Sequence, residues 1–200
     1  MKKDILNRLL VVIVLGYERL TEVLCADLPD QNPVYLIPIR TLKAENRQPG
    51  RRDTSPLHIF MEEAEKAVQA RKPIVVMTGF PCTYPDACDI DNLCPHLLTL
   101  SLEQSPSMTF HEASKHFFDG MTRQEFKRHQ ERAANELKGI KHILNRGGEM
   151  PIINGELSLT KQRRYLSNRI LEFKQGTEIS LTARSTPQIT RQDTRELVPA

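Results

Sequence analysis

An unbroken apolar run from Leu9 to Leu15 is the strongest hydrophobic feature near the start of the chain. Leu20, Val23 and Leu24 continue it with amphipathic spacing. Together these patterns predict a first helix over residues 4–26, apolar nearly all round in its first half. A helix that crosses a bilayer needs roughly 18 or more apolar residues, and this run is far shorter. We therefore expect no membrane span.

Two further apolar runs flank a helical stripe. Residues 34–39 and 74–77 have the composition of strands. Between them, Ser55-Pro56 is typical of a helix start, because serine accepts from unpaired backbone N–H groups and proline fits the first turn. The pattern predicts a βαβ-like unit over 34–77. Its second strand lacks polar alternation, which predicts burial on both faces.

Capping-box spacings open two predicted helices further along the chain. The first begins at Thr109 and should end near Gly120. The second should run from Arg123 to about Arg146 and be the longest helix after the first one. Its apolar stripe, which we expect to be buried, consists of Phe126, Ala133, Leu137, Ile140 and Leu144.

The last third of the chain completes the predicted fold. Asn154-Gly155 predicts a hairpin over 152–157, followed by a helix over 160–174 and a strand over 178–182. Residues 183–200 are polar and aperiodic, as in a disordered tail. We therefore predict one domain over 1–182 of class α/β or α+β. It would contain a small mixed sheet followed by a basic helical module over 122–176.

Charge is concentrated in that module. Residues 122–176 hold 12 Lys or Arg and 6 Asp or Glu, whereas the whole chain has a net charge of only +3. Such an excess indicates an anionic partner, such as nucleic acid, RNA included, or a membrane surface. The alternative is a solvated helical surface. The candidate phosphate-binding residues are Lys127, Arg128, Arg132, Lys138, Lys141, Lys161, Arg163, Arg164 and Arg169.

A cysteine-rich stretch lies in a predicted loop over 81–96. Cys82, Cys88, Cys94 and His96 could supply four zinc ligands, but five residues separate successive cysteines. Structural zinc sites usually pair their cysteines across about two to four residues. We therefore expect partly buried thiols, no bound metal and no cofactor. This cysteine usage favours a reducing compartment, the cytoplasm. After the loop, residues 96–102 could form a strand or a short helix.

Thr78, Gly79 and Cys82 follow the predicted strand 74–77 and form a second candidate site. Ligands of open α/β sheets gather at the carboxyl ends of strands. There Thr78 offers a hydroxyl, Gly79 permits close backbone approach, and Cys82 offers a thiol. His111 or His116 could act as the base that deprotonates this thiol. A plain strand-to-loop turn is the alternative interpretation. The glycine-rich phosphate-binding patterns are absent from the sequence.

The segment from Ile74 to Pro81 resembles the strand and turn of the D-glutamate cyclase family over eight residues. The acidic glycine-rich segment expected next in that family is missing here. Asp86, Asp89 and Asp91 stand in its place without a following Gly-Pro-rich run. The resemblance therefore carries no activity over to this chain.

Three hypotheses follow for function. The first is a small regulatory or accessory protein that binds nucleic acid through the basic module. The second is an interaction adaptor that uses the N-terminal apolar helix to bind a protein partner or a second copy of the chain. The third is an α/β enzyme or small-ligand protein with its site near Thr78-Gly79.

Overall fold

A computed structural model describes residues 2–16, 18–28, 34–45, 55–103, 122–145 and 150–185. Helices and strands alternate along most of this chain. In order they are α1 Lys2–Leu6, β1 Leu10–Leu15, α2 Glu18–Cys25, β2 Val34–Pro38, α3 Ile39–Glu45, α4 Pro56–Gln69, β3 Ile74–Thr78, α5 Tyr84–Leu93, β4 Leu97–Glu103, α6 Arg123–Leu144, β5 Ile152–Asn154 and α7 Leu159–Ser185.

The strands form one five-stranded sheet in the order β2-β3-β1-β4-β5, and all neighbouring pairs are parallel. The fold class is α/β or α+β, as predicted. The βαβ unit over 34–77 is confirmed, because β2 and β3 pair side by side and α4 lies between them in sequence. The prediction of a mixed sheet is wrong: the described strands run in one direction.

The predicted N-terminal helix over 4–26 is wrong. Its apolar half is β1, the central strand, which pairs with β3 on one side and β4 on the other. Val11 to Leu15 are at most 4% exposed. Central parallel strands are covered on both faces and therefore lack alternation, so a short apolar run can be either a strand or a buried helix. This segment cannot serve as the partner surface of an adaptor.

Side-chain alternation along β1 defines two faces of the sheet. The first face carries Val11, Ile13 and Leu15 and packs against residues of α1, α3, α4, α5 and α6. The second face carries Val12 and Val14 and packs against residues of α2 and α7. Both sides of the sheet are therefore closed by helices, as a parallel sheet requires.

Part of the predicted loop over 81–96 is the helix α5. Thr83 caps it by accepting from the Asp86 N–H, and the Asp86 carboxylate accepts from the Thr83 N–H in return. Aspartate replaces the more common glutamate or glutamine of this capping box, so the usual sequence signature is absent. Residues 96–102, for which the sequence allows either a strand or a short helix, fall almost entirely within the strand β4.

Two predictions for the last third are corrected. The hairpin over 152–157 is wrong, because β5 pairs with β4 and the chain turns at Gly155 into α7. Asn154 Oδ1 accepts from the Glu156 N–H at 2.9 Å, so the local turn forms without a second strand. The strand over 178–182 is also wrong. These residues extend α7, since lengthening a helix costs less than starting a new element.

The helix predicted from Arg123 is α6, which has 22 residues, but α7 is longer with 27. Ile140 and Leu144 are buried as expected, while Leu137 is half-buried. The side chains of Phe126 and Ala133 lie outside the described residues. The helix predicted over 109–120 lies outside them as well. The tail predicted over 183–200 is wrong for residues 183–185, which belong to α7, and its remaining residues lie outside the described part of the chain.

Candidate functional site

The carboxyl ends of β1, β2 and β3 lie side by side at one edge of the sheet. The chain leaves β1 through α2 on the second face, whereas it leaves β3 through α5 on the first face. Strands on both sides of β1 come later in the chain, so the strand order reverses there. In open α/β sheets a crevice for ligands forms at such a point.

A pocket of about 100 Å³ opens at this edge. Turns after β1 and β3 contribute Gly16 and Gly79 to its wall, and α3 contributes Arg40. The remaining wall is mostly apolar and includes Phe80, Pro81, Leu137 and Ile140. The pocket therefore combines one cationic side chain with several apolar side chains.

Gly16 is required by the close approach of β1 to β4. Its φ is +152°, a conformation that residues with a Cβ rarely adopt. A Cβ there would lie 3.0 Å from the carbonyl oxygen of Leu102 and 3.2 Å from Cγ2 of Thr21. Gly79 also has positive φ, at 73°. Both turns at the pocket thus depend on glycine.

Arg40 and Cys82 meet in the pocket wall, although 42 positions separate them in the chain. Arg40 Nη2 lies 3.7 Å from Cys82 Sγ. The thiol in turn donates to the carbonyl oxygen of Gly79 at 3.2 Å. A guanidinium group beside a half-exposed thiol makes this part of the pocket attractive to anions.

The amino end of α5 does not supply an additional anion site. The Asp86 carboxylate accepts from the N–H groups of Cys82 and Thr83, at 3.2 and 3.0 Å. Those donors, which could otherwise bind a phosphate, already have an internal anionic partner. Arg40 is therefore the cationic group of the pocket wall.

Two of the three predicted ligand residues, Gly79 and Cys82, line this pocket, whereas Thr78 does not. Thr78 is fully buried, on the sheet face shared by Ile74 and Val76, and its Oγ1 has no hydrogen-bond partner among the described residues. His111 and His116, the proposed bases for Cys82, lie outside the described residues.

Gly16 and Arg40 belong to the pocket but were absent from the sequence-based site. Gly16 directly follows the apolar run Leu9 to Leu15, just as Gly79 follows β3. Reading that run as a strand would have identified both turns together. No local signal marks Arg40, because its partner Cys82 is brought close only by the pairing of β2 with β3.

The four cysteines are all thiols rather than disulfides. Cys25 and Cys94 are buried, and burial raises the pKa of Cys25 to about 12. Cys82 and Cys88 are partly exposed. Among the residues that the structure describes, no three His, Cys, Asp or Glu side chains converge as metal ligands would.

The nine candidate phosphate-binding residues lie on two helices that pack on opposite faces of the sheet. Those of α6 belong to a helix on the first face of the sheet and those of α7 to a helix on the second. Four are in ion pairs: Lys127 with Glu131, Lys141 with Glu103, Arg163 with Asp27, and Arg169 with Glu172. The side chain of Arg132 lies outside the described residues.

Arg163 has a specific structural contact. Its guanidinium group donates to the carbonyl oxygens of Val23 and Leu24 at 2.8 and 3.3 Å, and pairs with Asp27. Those carbonyls end α2, where intrahelical donors are lacking. Arg163 therefore caps α2 from α7.

The other candidate cations with described side chains are exposed and form no ion pair with a described residue. They are Arg128, Lys138, Lys161 and Arg164.

No protein-family model matches the chain, and no curated protein gives a significant match. Within the described part of the chain, every helix is too short or too polar to cross a lipid bilayer.

Proposed function

We propose that this chain binds a small anionic ligand, one with a phosphate or carboxylate group, at the carboxyl edge of its sheet. The observation that supports the proposal is the convergence of two glycine turns and Arg40 around one pocket where the strand order reverses. Backbone turns of this kind allow close approach of a ligand, and the guanidinium group supplies the counter-charge.

The size of the pocket suggests how much of the ligand enters it. Pockets for whole drug-sized ligands have volumes of about 300–1,000 Å³. The volume here is about 100 Å³, which suits a single phosphate or carboxylate group. The rest of the ligand would extend over the edge of the sheet, beside the half-buried side chain of Leu137.

Thermal unfolding in the presence of anions tests the proposal. Inorganic phosphate, pyrophosphate and citrate should each be compared with sodium chloride at matched ionic strength. A ligand present at 100 times its Kd stabilises the folded state by about 2.7 kcal/mol, and Tm rises accordingly. We expect at least one of the three anions to raise the Tm of the wild-type chain.

Two arginine variants separate specific binding from general salt effects. Arg40→Gln should abolish the rise in Tm, because it removes the cation of the pocket. Arg164→Gln should preserve it, because Arg164 is exposed on α7, a helix of the opposite face. Phosphate and citrate also stabilise proteins by exclusion from their surface, which both variants share. Equal responses of the two variants would contradict the proposal.

Nucleic-acid binding is the second candidate function. Its support is the charge excess of residues 122–176 together with the four exposed cations that pair with no described residue. Because α6 and α7 belong to opposite faces, each helix would have to contact phosphates on its own.

The absence of disulfides supports a further proposal, that the chain works in a reducing compartment, the cytoplasm.

A further inference from the structure

A hydrogen bond spans the carboxyl end of β3. The helices α2 and α3 follow β1 and β2, the two strands that flank β3 in the sheet. The Thr41 hydroxyl of α3 donates to Glu22 Oε1 of α2 at 2.9 Å, and both residues are half-buried. Thr41 directly follows Arg40, so this bond fixes the backbone from which the pocket's cation extends.

The Glu22 side of the bond rests on a supported helix. Leu24 and Cys25 of α2 are fully buried against the second face of the sheet. Arg163 caps the carboxyl end of α2 and pairs with Asp27 just beyond it. Glu22 lies between the glycine turn and this cap, so it is held at a defined position relative to the pocket.

We propose that Thr41, through its hydrogen bond to Glu22, is a positioning residue that holds Arg40 beside Cys82. Arginine has a long side chain with many rotamers, and its attraction for an anion depends on where the guanidinium group is placed. Because Thr41 is the next residue after Arg40, its hydrogen bond to Glu22 restricts the backbone of Arg40 and hence the placement of the guanidinium group. This inference deepens the proposed function, because it explains how the pocket would select negatively charged ligands.

Cys82 provides a reporter that needs no knowledge of the ligand. Its thiolate displaces iodide from iodoacetate, which is anionic, or from iodoacetamide, which is neutral. A unit charge about 4 Å away changes such a rate by roughly fivefold even at the dielectric constant of water. The ratio of the two rates therefore reports the net charge beside Cys82, to which Arg40 contributes a positive charge and the Asp86 carboxylate a negative one. Mass spectrometry of peptides resolves each cysteine. Cys88, which is also partly exposed, serves as the internal reference.

In the wild-type chain the iodoacetate preference of Cys82 should exceed that of Cys88 by roughly fivefold. Arg40→Gln should remove this excess. Thr41→Val should also lower it towards the value for Cys88, although no charge changes. Thr41→Ser retains the hydroxyl and should restore the preference. Thr160→Val, at an exposed threonine of α7, should leave it unchanged.

Cys25 reports on folding in the same samples, because a fully buried thiol reacts only when the fold opens. Equal Cys25 rates in wild type and Thr41→Val would show that both are folded. If Thr41→Val then kept the full preference while Arg40→Gln lost it, the positioning role would be wrong. If the wild type had the preference but no anion raised its Tm, the proposed function would fail instead. A wild type without any preference would also overturn the positioning role.

Discussion

Arg163 shows how a single residue acquires a role that its charge does not indicate. In the sequence it is one of several arginines in a basic segment, next to the equivalent Arg164. In the structure Arg163 caps α2, whereas Arg164 is exposed. The contacts of Arg163 therefore give it a structural role that Arg164 lacks. Its guanidinium group donates hydrogen bonds to carbonyl oxygens at the end of a helix, where intrahelical donors are lacking.

Replacing the two arginines separately should show this difference in stability. We expect Arg163→Ala to lower the free energy of unfolding by about 1.5–3 kcal/mol, the range for hydrogen bonds that involve a charged group. Arg164→Ala should change it by no more than about 0.5 kcal/mol. Urea unfolding monitored by circular dichroism would measure both. Similar decreases for the two variants would refute the capping role.

At the scale of elements, α6 is joined to β4 by both apolar and charged contacts. Ile140 and Leu144 pack into the first face of the sheet. Beside them, Lys141 Nζ donates to Glu103 Oε1 at 2.7 Å, and the Ser101 hydroxyl donates to the same oxygen at 3.2 Å. The hydrogen bond from Lys141 lowers the pKa of the Glu103 carboxyl group, and burial opposes it only partly.

The lowered pKa of Glu103 predicts a pH dependence of stability. A carboxyl group with a lower pKa in the folded state stabilises that state above its unfolded pKa of about 4.3, and the effect disappears as pH falls through the folded pKa. Urea unfolding should show wild type more stable than Glu103→Gln at pH 7, with the difference vanishing towards pH 3. Partial exposure limits the effect to less than about 1 kcal/mol.

Lys141→Gln provides the matched control for this pH dependence. It removes the donor but leaves the carboxyl group, so it should show the same loss of pH-dependent stabilisation as Glu103→Gln. A stability difference between wild type and Glu103→Gln that stays constant from pH 7 to below about pH 4 would exclude the ion pair as its source.

At the scale of the whole molecule, the sheet separates the two basic helices. The helices α6 and α7 follow one another along the chain, at 123–144 and 159–185. They nevertheless cover opposite faces of the sheet. A nucleic acid that bound through charge would contact one helix at a time. The exposed cations of the two helices can therefore be replaced separately, one face at a time.

Two double variants divide the exposed cations by face: Arg128→Glu with Lys138→Glu on α6, and Lys161→Glu with Arg164→Glu on α7. If the chain binds RNA or duplex DNA, we expect one of them to abolish most of the affinity and the other to have little effect. The slope of log affinity against log salt should fall by about 0.7–0.9 for each phosphate that the variant no longer neutralises. Fluorescence anisotropy from about 50 to 200 mM salt would measure this slope.

Two results would count against nucleic-acid binding in this form. A wild-type chain that binds no better than a neutral control protein at low salt would remove nucleic acid as a partner. Equal decreases in affinity for both double variants would instead contradict binding through a single face.

The sequence by itself determined the elements whose signals are local. The Ser55 cap, the βαβ unit over 34–77 and the start of α6 at Arg123 all follow from capping residues and hydrophobic spacing. It also identified Gly79 and Cys82 as candidate site residues, because both follow a recognisable buried strand. Each of these inferences depends on residues that are near one another in the chain.

Tertiary structure alone decided what depends on distant partners. Burial on both faces makes Leu10–Leu15 a central strand, and its apolar residues would suit a buried helix equally well. Strand pairing brings Arg40 to Cys82 and Thr41 to Glu22, and the crossovers put α6 and α7 on opposite faces. No periodicity encodes these contacts, because they follow from the order in which parallel strands assemble, and that order is set by packing across the whole sheet.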